Sequence, residues 1–243
     1  GIATDGRVLY LTEWGGHRIK KLVDSGLVGY WAIDPGVNPN DYNGDGAALA
    51  NGSVVAGPLS TTTDRFGNPN KASTFNGTTQ YINAGSGGIP ANFDQSVTLA
   101  AWVKVDDLTQ EHAIMGTASF KFRFNIATDG SVYMQNWFGG GAGTKYLINT
   151  SGGLVAPNKW VHVAYVRRSG ASFLPGGRIY INGRDMTVSS TTAGSTSDLV
   201  DVALTIGYST ASAIQRYMKG SLADVRIYDR ALDEGEINEL AQN

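Results

Sequence analysis

The 243-residue chain contains no cysteine. Disulfides, thiolate metal sites and cysteine nucleophiles are therefore excluded, while the compartment stays open. Glutamate is scarce: Glu13, Glu111, Glu234, Glu236 and Glu239 are the only five. There are 3 histidines, His17, His112 and His162, and no two stand at metal-ligand spacing. The net charge is −2 and no run of Lys or Arg occurs, so the electrostatic footprint of a nucleic-acid binder is missing. No apolar stretch approaches the ~20 residues of a membrane-spanning helix, and no membrane span is expected. The start, Gly1-Ile2-Ala3-Thr4-Asp5-Gly6, has neither a basic nor an apolar leader region and no initiator Met. We expect the chain to be part of a larger parent protein.

What is abundant is glycine, 32 residues, against 7 prolines, with many Thr, Ser, Val and Tyr. That mixture reads as short strands joined by tight turns. Leu27 to Trp31 reads as a first strand. Ala72 to Ile82 reads as two strands about an Asn76-Gly77 turn, a strong hairpin signal. Val97 to Val103 is apolar on both faces and should be a central strand. In the 120–138 segment Phe122, Phe124 and Ile126 alternate with Lys121, Arg123 and Asn125. After a Thr128-Asp129-Gly130 turn, Val132 and Met134 alternate with Tyr133, Gln135 and Trp137. Trp160 to Val166, Arg178 to Arg184 (with an Asn182-Gly183 turn), Leu204 to Gly207 and Gly220 to Tyr228 complete the strands. One helix closes the chain, with Asp233 as cap, Glu236 as its capping-box partner, and Leu232, Ile237 and Leu240 as its apolar stripe. Many short strands and one helix argue for an all-β sandwich or barrel.

Two resemblances add to this reading. GIATDGRVLYLTEWGGHRIKKL at 1–22 resembles one NHL propeller repeat. A single blade cannot bury both of its faces, so residues 1–22 are read as a repeat remnant or N-terminal extension. From residue 26 to 243 the chain resembles the bacterial laminin-G-like domain of the concanavalin-A-like lectin/glucanase superfamily. The carriers are GLVGYW at 26–31, DYNGDG at 41–46, DRFGN at 64–68, STFNGTTQYI at 73–82, VTLAAWVK at 97–104, NKWVHVAYV at 158–166, GRIYINGR at 177–184 and KGSLADVRIYDRALDEGEINEL at 219–240. The resemblance implies a jelly-roll β-sandwich of two antiparallel sheets. It also implies a carbohydrate-binding, lectin-like module of a secreted or cell-surface protein, with a polysaccharide or glycan as partner.

Catalysis is not expected. Glycoside hydrolysis takes two carboxylates about 5 to 9.5 Å apart. Catalytic relatives carry Glu-x-Asp-x-Glu on one strand, a string this sequence lacks. Glu111 and His112 read as loop residues and His162 as part of a core strand. The resemblance also implies a structural calcium ion joining an early loop to the last strand, and calcium prefers hard oxygen ligands. Asp41, Asn43, Asn76 and Asp224 are the candidate ligands; the alternative is Asx turns at Asp41 and Asn43 and an arginine partner for Asp224. For the glycan, the candidates are Arg123, Asn125, Tyr133, Gln135 and Trp137, which share one non-core strand face and combine aromatic with planar polar groups. A solvated face of no function is the competing reading. A hydrolase or lyase of the same superfamily, or a protein-binding adhesion module, are the alternative functions.

Overall fold

The computed structural model describes residues 2–4, 9–12, 19–22, 26–33, 52–85, 96–117, 122–137, 145–168, 177–191, 203–211 and 214–242. Its strands, in chain order, are β1 (Ile2–Thr4), β2 (Leu9–Thr12), β3 (Ile19–Leu22), β4 (Leu27–Trp31), β5 (Ser53–Val55), β6 (Ser60–Thr62), β7 (Ala72–Asn76), β8 (Tyr81–Gly85), β9 (Val97–Val105), β10 (His112–Thr117) and β11 (Phe122–Ile126). They continue as β12 (Val132–Trp137), β13 (Lys145–Thr150), β14 (Val161–Arg167), β15 (Gly177–Ile181), β16 (Arg184–Asp185), β17 (Thr187–Thr191), β18 (Leu204–Ile206), β19 (Tyr208–Ala211), β20 (Ile214–Tyr217) and β21 (Lys219–Tyr228). The helix α1 (Glu234–Gln242) follows.

Among the described residues, β19 and β20 form a two-stranded hairpin of their own, and sixteen of these strands form two antiparallel sheets. The first runs β17-β13-β12-β11-β10-β18-β8-β5; the second runs β16-β15-β14-β9-β21-β7-β6, with β4 also paired to β21. Between them lies one apolar core. The first sheet supplies Ile82, Phe122, Phe124, Ile126, Val132 and Met134, and the second supplies Trp31, Phe75, Leu99, Val103, Val163 and Ile227. Strand β9 is central in the second sheet, between β14 and β21, as its two apolar faces predicted. Strands β1, β2 and β3 form a separate antiparallel meander within residues 1–22.

A second, smaller cluster explains the terminal helix. Ala100, Ala164, Val166, Tyr180 and Tyr228 on the outer face of the second sheet pack with Leu232 and Ile237. The capping box is made: the Glu236 N–H donates to Asp233 Oδ1 at 2.9 Å, and the Asp233 N–H donates to Glu236 Oε2 at 2.9 Å. The Arg230 guanidinium donates to both Glu236 oxygens, at 2.8 and 2.7 Å.

Of three local readings, two change. The Asn76-Gly77 turn does not close a hairpin, because β7 belongs to the second sheet and β8 to the first. Asn76 Oδ1 instead accepts the N–H groups of Thr78, Thr79 and Gln80 at 3.0, 3.0 and 3.1 Å. A side chain that satisfies three backbone donors lets the chain cross between sheets without ladder bonds. The Asn182-Gly183 turn does close a hairpin, with φ of 49° and 82° at its two residues and Ile181 paired to Arg184. Lastly, His112 is not a loop residue: it begins β10 and is fully buried.

A candidate glycan cleft beneath a strand hairpin

The β11–β12 hairpin forms in the expected register, with Arg123 opposite Gln135 and Asn125 opposite Tyr133. Its core face is apolar as predicted. Its other face is not the open platform that the alternation suggested. Asn125 is 0% exposed, Gln135 5% and Tyr133 7%. The cause is a second hairpin, β19–β20, which lies over this outer face. Ser209 Oγ on β19 donates to Asn125 Oδ1 at 3.1 Å. Gly116 on β10 makes the approach possible, since a Cβ there would stand 2.6 Å from Ser209 Cβ.

The covered face is a polar network centred on Glu111. Asn125 Nδ2 donates to Tyr133 Oη at 3.2 Å, and Tyr133 Oη donates to Glu111 Oε2 at 2.6 Å. Arg216, on β20, donates through Nε to Glu111 Oε2 and through Nη2 to Glu111 Oε1. Arg123 Nη1 lies 3.6 Å from Glu111 Oε2, and its Nε and Nη2 donate to Gln135 Oε1 at 2.8 and 2.6 Å. The Arg123 guanidinium also stands 5.0 Å from the Tyr133 ring centroid.

The charges follow from these partners. Burial by itself would push the Glu111 carboxyl up, but the donors Arg216 and Tyr133 and the charges of Arg216 and Arg123 outweigh it and hold the group below its usual value. Burial pushes the Tyr133 phenol up, so Tyr133 is a neutral donor. Burial also lowers the Arg123 pKa.

Beside the network opens a cleft of about 290 Å³, lined by Gly77, Gln110, Glu111, Ile214, Gln215, Arg216 and Tyr217. Gln110 Nε2 fixes one wall, donating to the carbonyls of Gly77 and Tyr217 at 3.1 Å each. Tyr217 extends a tyrosine row: Tyr81, Tyr208 and Tyr217 follow one another with centroids 4.9 Å apart at each step. The cleft thus joins a half-buried aromatic ring to amide, carboxylate and guanidinium groups.

Of the predicted glycan contacts, Arg123, Asn125, Tyr133 and Gln135 come together, but as the support beneath the cleft rather than as its lining. Trp137 ends β12, and its side chain lies outside the described residues. The residues that line the cleft, Glu111 and Arg216 above all, were not singled out from sequence. The signals available were Glu111 as the one glutamate in the middle of the chain, and the alternating Ile214-Gln215-Arg216-Tyr217 stretch.

The two described calcium candidates are engaged with other partners. Asp224 Oδ2 lies 2.6 Å from Arg65 Nη2, and Asp224 Oδ1 accepts from Tyr30 Oη at 2.6 Å and stands 3.5 Å from Arg226 Nη2. The carboxylate is therefore an ion-pair partner, with two guanidiniums where a cation would sit. Asn76 spends its oxygen on backbone donors. It also pairs with Lys219 on β21, five residues from Asp224, or about 16 Å of strand. Among the described residues no group of three acidic or histidine side chains is placed to hold a metal. Asp41 and Asn43 lie outside the described residues.

The fold is thus a two-sheet β-sandwich with a polar cleft on one outer face. The chain belongs to the concanavalin A-like lectin/glucanases superfamily, whose Laminin_G_3 family profile matches residues 76–238. No curated protein matches it. Among solved structures it is similar to the fourth domain of AbnA, a GH43 extracellular arabinanase from Geobacillus stearothermophilus, in complex with arabinotriose. That likeness has 18% identity and a TM-score of 0.57, over 89% of this chain and 98% of that one. It is also similar to the binding domain of botulinum neurotoxin DC in complex with SialylT, with 14% identity and a TM-score of 0.57, over 89% of this chain and 51% of that one. A third likeness is to a mutant Trypanosoma rangeli sialidase displaying trans-sialidase activity, with 17% identity and a TM-score of 0.54, over 91% of this chain and 33% of that one. At such identities the likeness speaks for the fold. No helix among the described residues is long and apolar enough to cross a membrane.

Proposed function

We propose that the protein is a non-catalytic carbohydrate-binding module of a larger, secreted protein, and that it takes its glycan in the cleft that β20 forms with Gly77, Gln110 and Glu111. The observation that carries this reading is the lining itself. Tyr217 offers a ring on which a sugar face can stack, and Gln110, Gln215, Glu111 and Arg216 surround it with groups that bond hydroxyls. The volume lies near the lower end of the ~300–1,000 Å³ typical of small-ligand sites, enough to hold one end of a chain rather than a long stretch.

The chemistry argues against hydrolysis. Among the described residues Glu111 is the single carboxylate lining the cleft. Its carboxyl is held below its usual pKa, whereas a general acid needs the opposite shift. Its oxygens are occupied by Tyr133 and Arg216.

Affinity electrophoresis against a panel of plant and animal polysaccharides tests the reading. Retention of the wild-type chain, lost in a Tyr217→Ala, Gln215→Ala double variant, is the expected result. Retention that survives this variant but disappears with Trp137→Ala moves the site to the end of β12. Release of reducing ends by the purified chain overturns the non-catalytic part.

A further inference from the structure

Arg216 is bonded on one side only. Its Nε and Nη2 grip Glu111, while Nη1 is buried and has no hydrogen-bond partner among the described residues. A guanidinium has two edges that match a planar pair of oxygens. Glu111 fills the side edge, and the end fork between Nη1 and Nη2 is not closed by an acceptor. A buried donor without an acceptor carries a desolvation cost that a ligand oxygen would recover.

The rest of the cleft leans the same way. Glu111 is the natural acceptor for sugar hydroxyls, yet its oxygens already receive Tyr133 Oη, Arg216 Nε and Arg216 Nη2. It divides its charge between Arg216 and Arg123. The Nε2 of Gln110 is committed to two carbonyls. Glu111 thus has little acceptor capacity left, and the cleft holds a spare cationic donor in Arg216 Nη1. A neutral hydroxyl can accept from that donor but brings no charge to it. A carboxylate brings two acceptor oxygens and the opposite charge.

We propose that the cleft selects sugars that carry a carboxylate, seated on the unfilled end fork of Arg216. This rests on the carbohydrate-binding reading and narrows it to acidic sugars, with uronates and sialates as the two sources of the group. Titration calorimetry with the 243-residue chain tests it, using trigalacturonate against its methyl ester and sialyllactose against lactose. At least one acid should bind about tenfold more tightly than its neutral counterpart, and the acid that does so names the source. That advantage should shrink several-fold between low salt and about 0.5 M NaCl. Arg216→Gln should erase the advantage, and Arg216→Lys, which keeps the charge but not the fork, should lose most of it. Equal affinities within both pairs, or an acid preference that survives Arg216→Gln, overturn the proposal. The wild-type comparison needs no variant, so a misfolded variant does not shield it. Tight binding of the neutral members alone sinks this inference and leaves the glycan site standing, whereas no binding across the panel sinks both.

Discussion

The two sheets bury polar side chains on their outer faces in opposite ways. On the first sheet, Asn125, Tyr133, Gln135 and Arg123 are gathered by hydrogen bonds and charge around Glu111. On the second, Trp102 and His162 meet edge to face with centroids 5.5 Å apart, and Lys104 Nζ lies 5.3 Å from the Trp160 ring centroid. There Trp102 Nε1, Trp160 Nε1, Ser221 Oγ and both His162 ring nitrogens are buried without hydrogen-bond partners among the described residues. The first face is specified mainly by hydrogen bonds and charge, with Arg216 Nη1 as its unmatched donor, and the second, beside the Asp224 ion pairs, by ring packing that tolerates several unmatched groups. Satisfied networks hold one geometry, which a binding site requires. Ring packing stabilises by area and asks less of orientation.

Acid should separate the two faces most strongly. Burial, and then the charge of Arg226, lower the His162 pKa from 6.5 to about 3. A folded-state value below the unfolded one means stability that is present above about pH 6.5 and is lost as the pH falls toward 3. The slope is up to about 1.4 kcal/mol per unit, or ~3 kcal/mol by pH 4. Glu111 is also lowered, from 4.5, so its contribution holds until the pH falls below about 4.5. Denaturant melts between pH 7 and pH 4 should therefore show His162→Phe flattening the upper part of the acid limb. At pH 7 that variant should match or slightly exceed the wild type, because it removes two unpaired buried nitrogens. An unchanged limb would mean that His162 gains a proton partner in solution.

Crowding the first face comes next. Gly116→Val should lift the β19–β20 hairpin from β10, because even a Cβ at this position meets Ser209 at 2.6 Å. A loss of about 2 to 3 kcal/mol is expected, with glycan affinity falling by more than stability alone explains. Preserved affinity would detach the cleft from the hairpin's seating. Glu111→Gln follows. It leaves Arg216 without its carboxylate, but the Glu111 side chain keeps 30% of its exposure. Water softens the loss to roughly 2 kcal/mol, measured by chemical denaturation, and binding of neutral glycans should weaken in parallel. Smallest is Asp224→Asn on the second sheet. The amide still accepts from Tyr30 and tolerates the φ of 48° at this position. We expect a loss of about 1 to 1.5 kcal/mol with glycan binding unchanged. A change in binding would mean that the two faces communicate.

Much of the fold was legible because it is written in local pattern. The β11–β12 register follows from alternation about an Asp129-Gly130 turn, and Gly130 takes a φ of 76° there. The helix cap is carried by two side chains three residues apart. The Asn76-Gly77 corner was misread because a hairpin turn and a crossover open with the same dipeptide; which one forms depends on the sheet that β8 joins. The site was legible only as a set of polar residues on one face. Glu111 and Arg216 are 105 positions apart, and Tyr30 and Asp224 are 194 apart. Neither pairing leaves a periodic trace.

From the sequence alone come an all-β chain with a two-sheet core, a capped terminal helix, and the list of polar groups that must lie on one side of β11 and β12. Backbone geometry and the burial of apolar side chains are short-range demands, and alternation states them residue by residue. The tertiary structure decided that a hairpin would cover that side, that Glu111 would become its centre, and that Asp224 would pair with Arg65 and Arg226. Those outcomes depend on which distant charges are brought into a common low-dielectric space, and only the packed chain determines that.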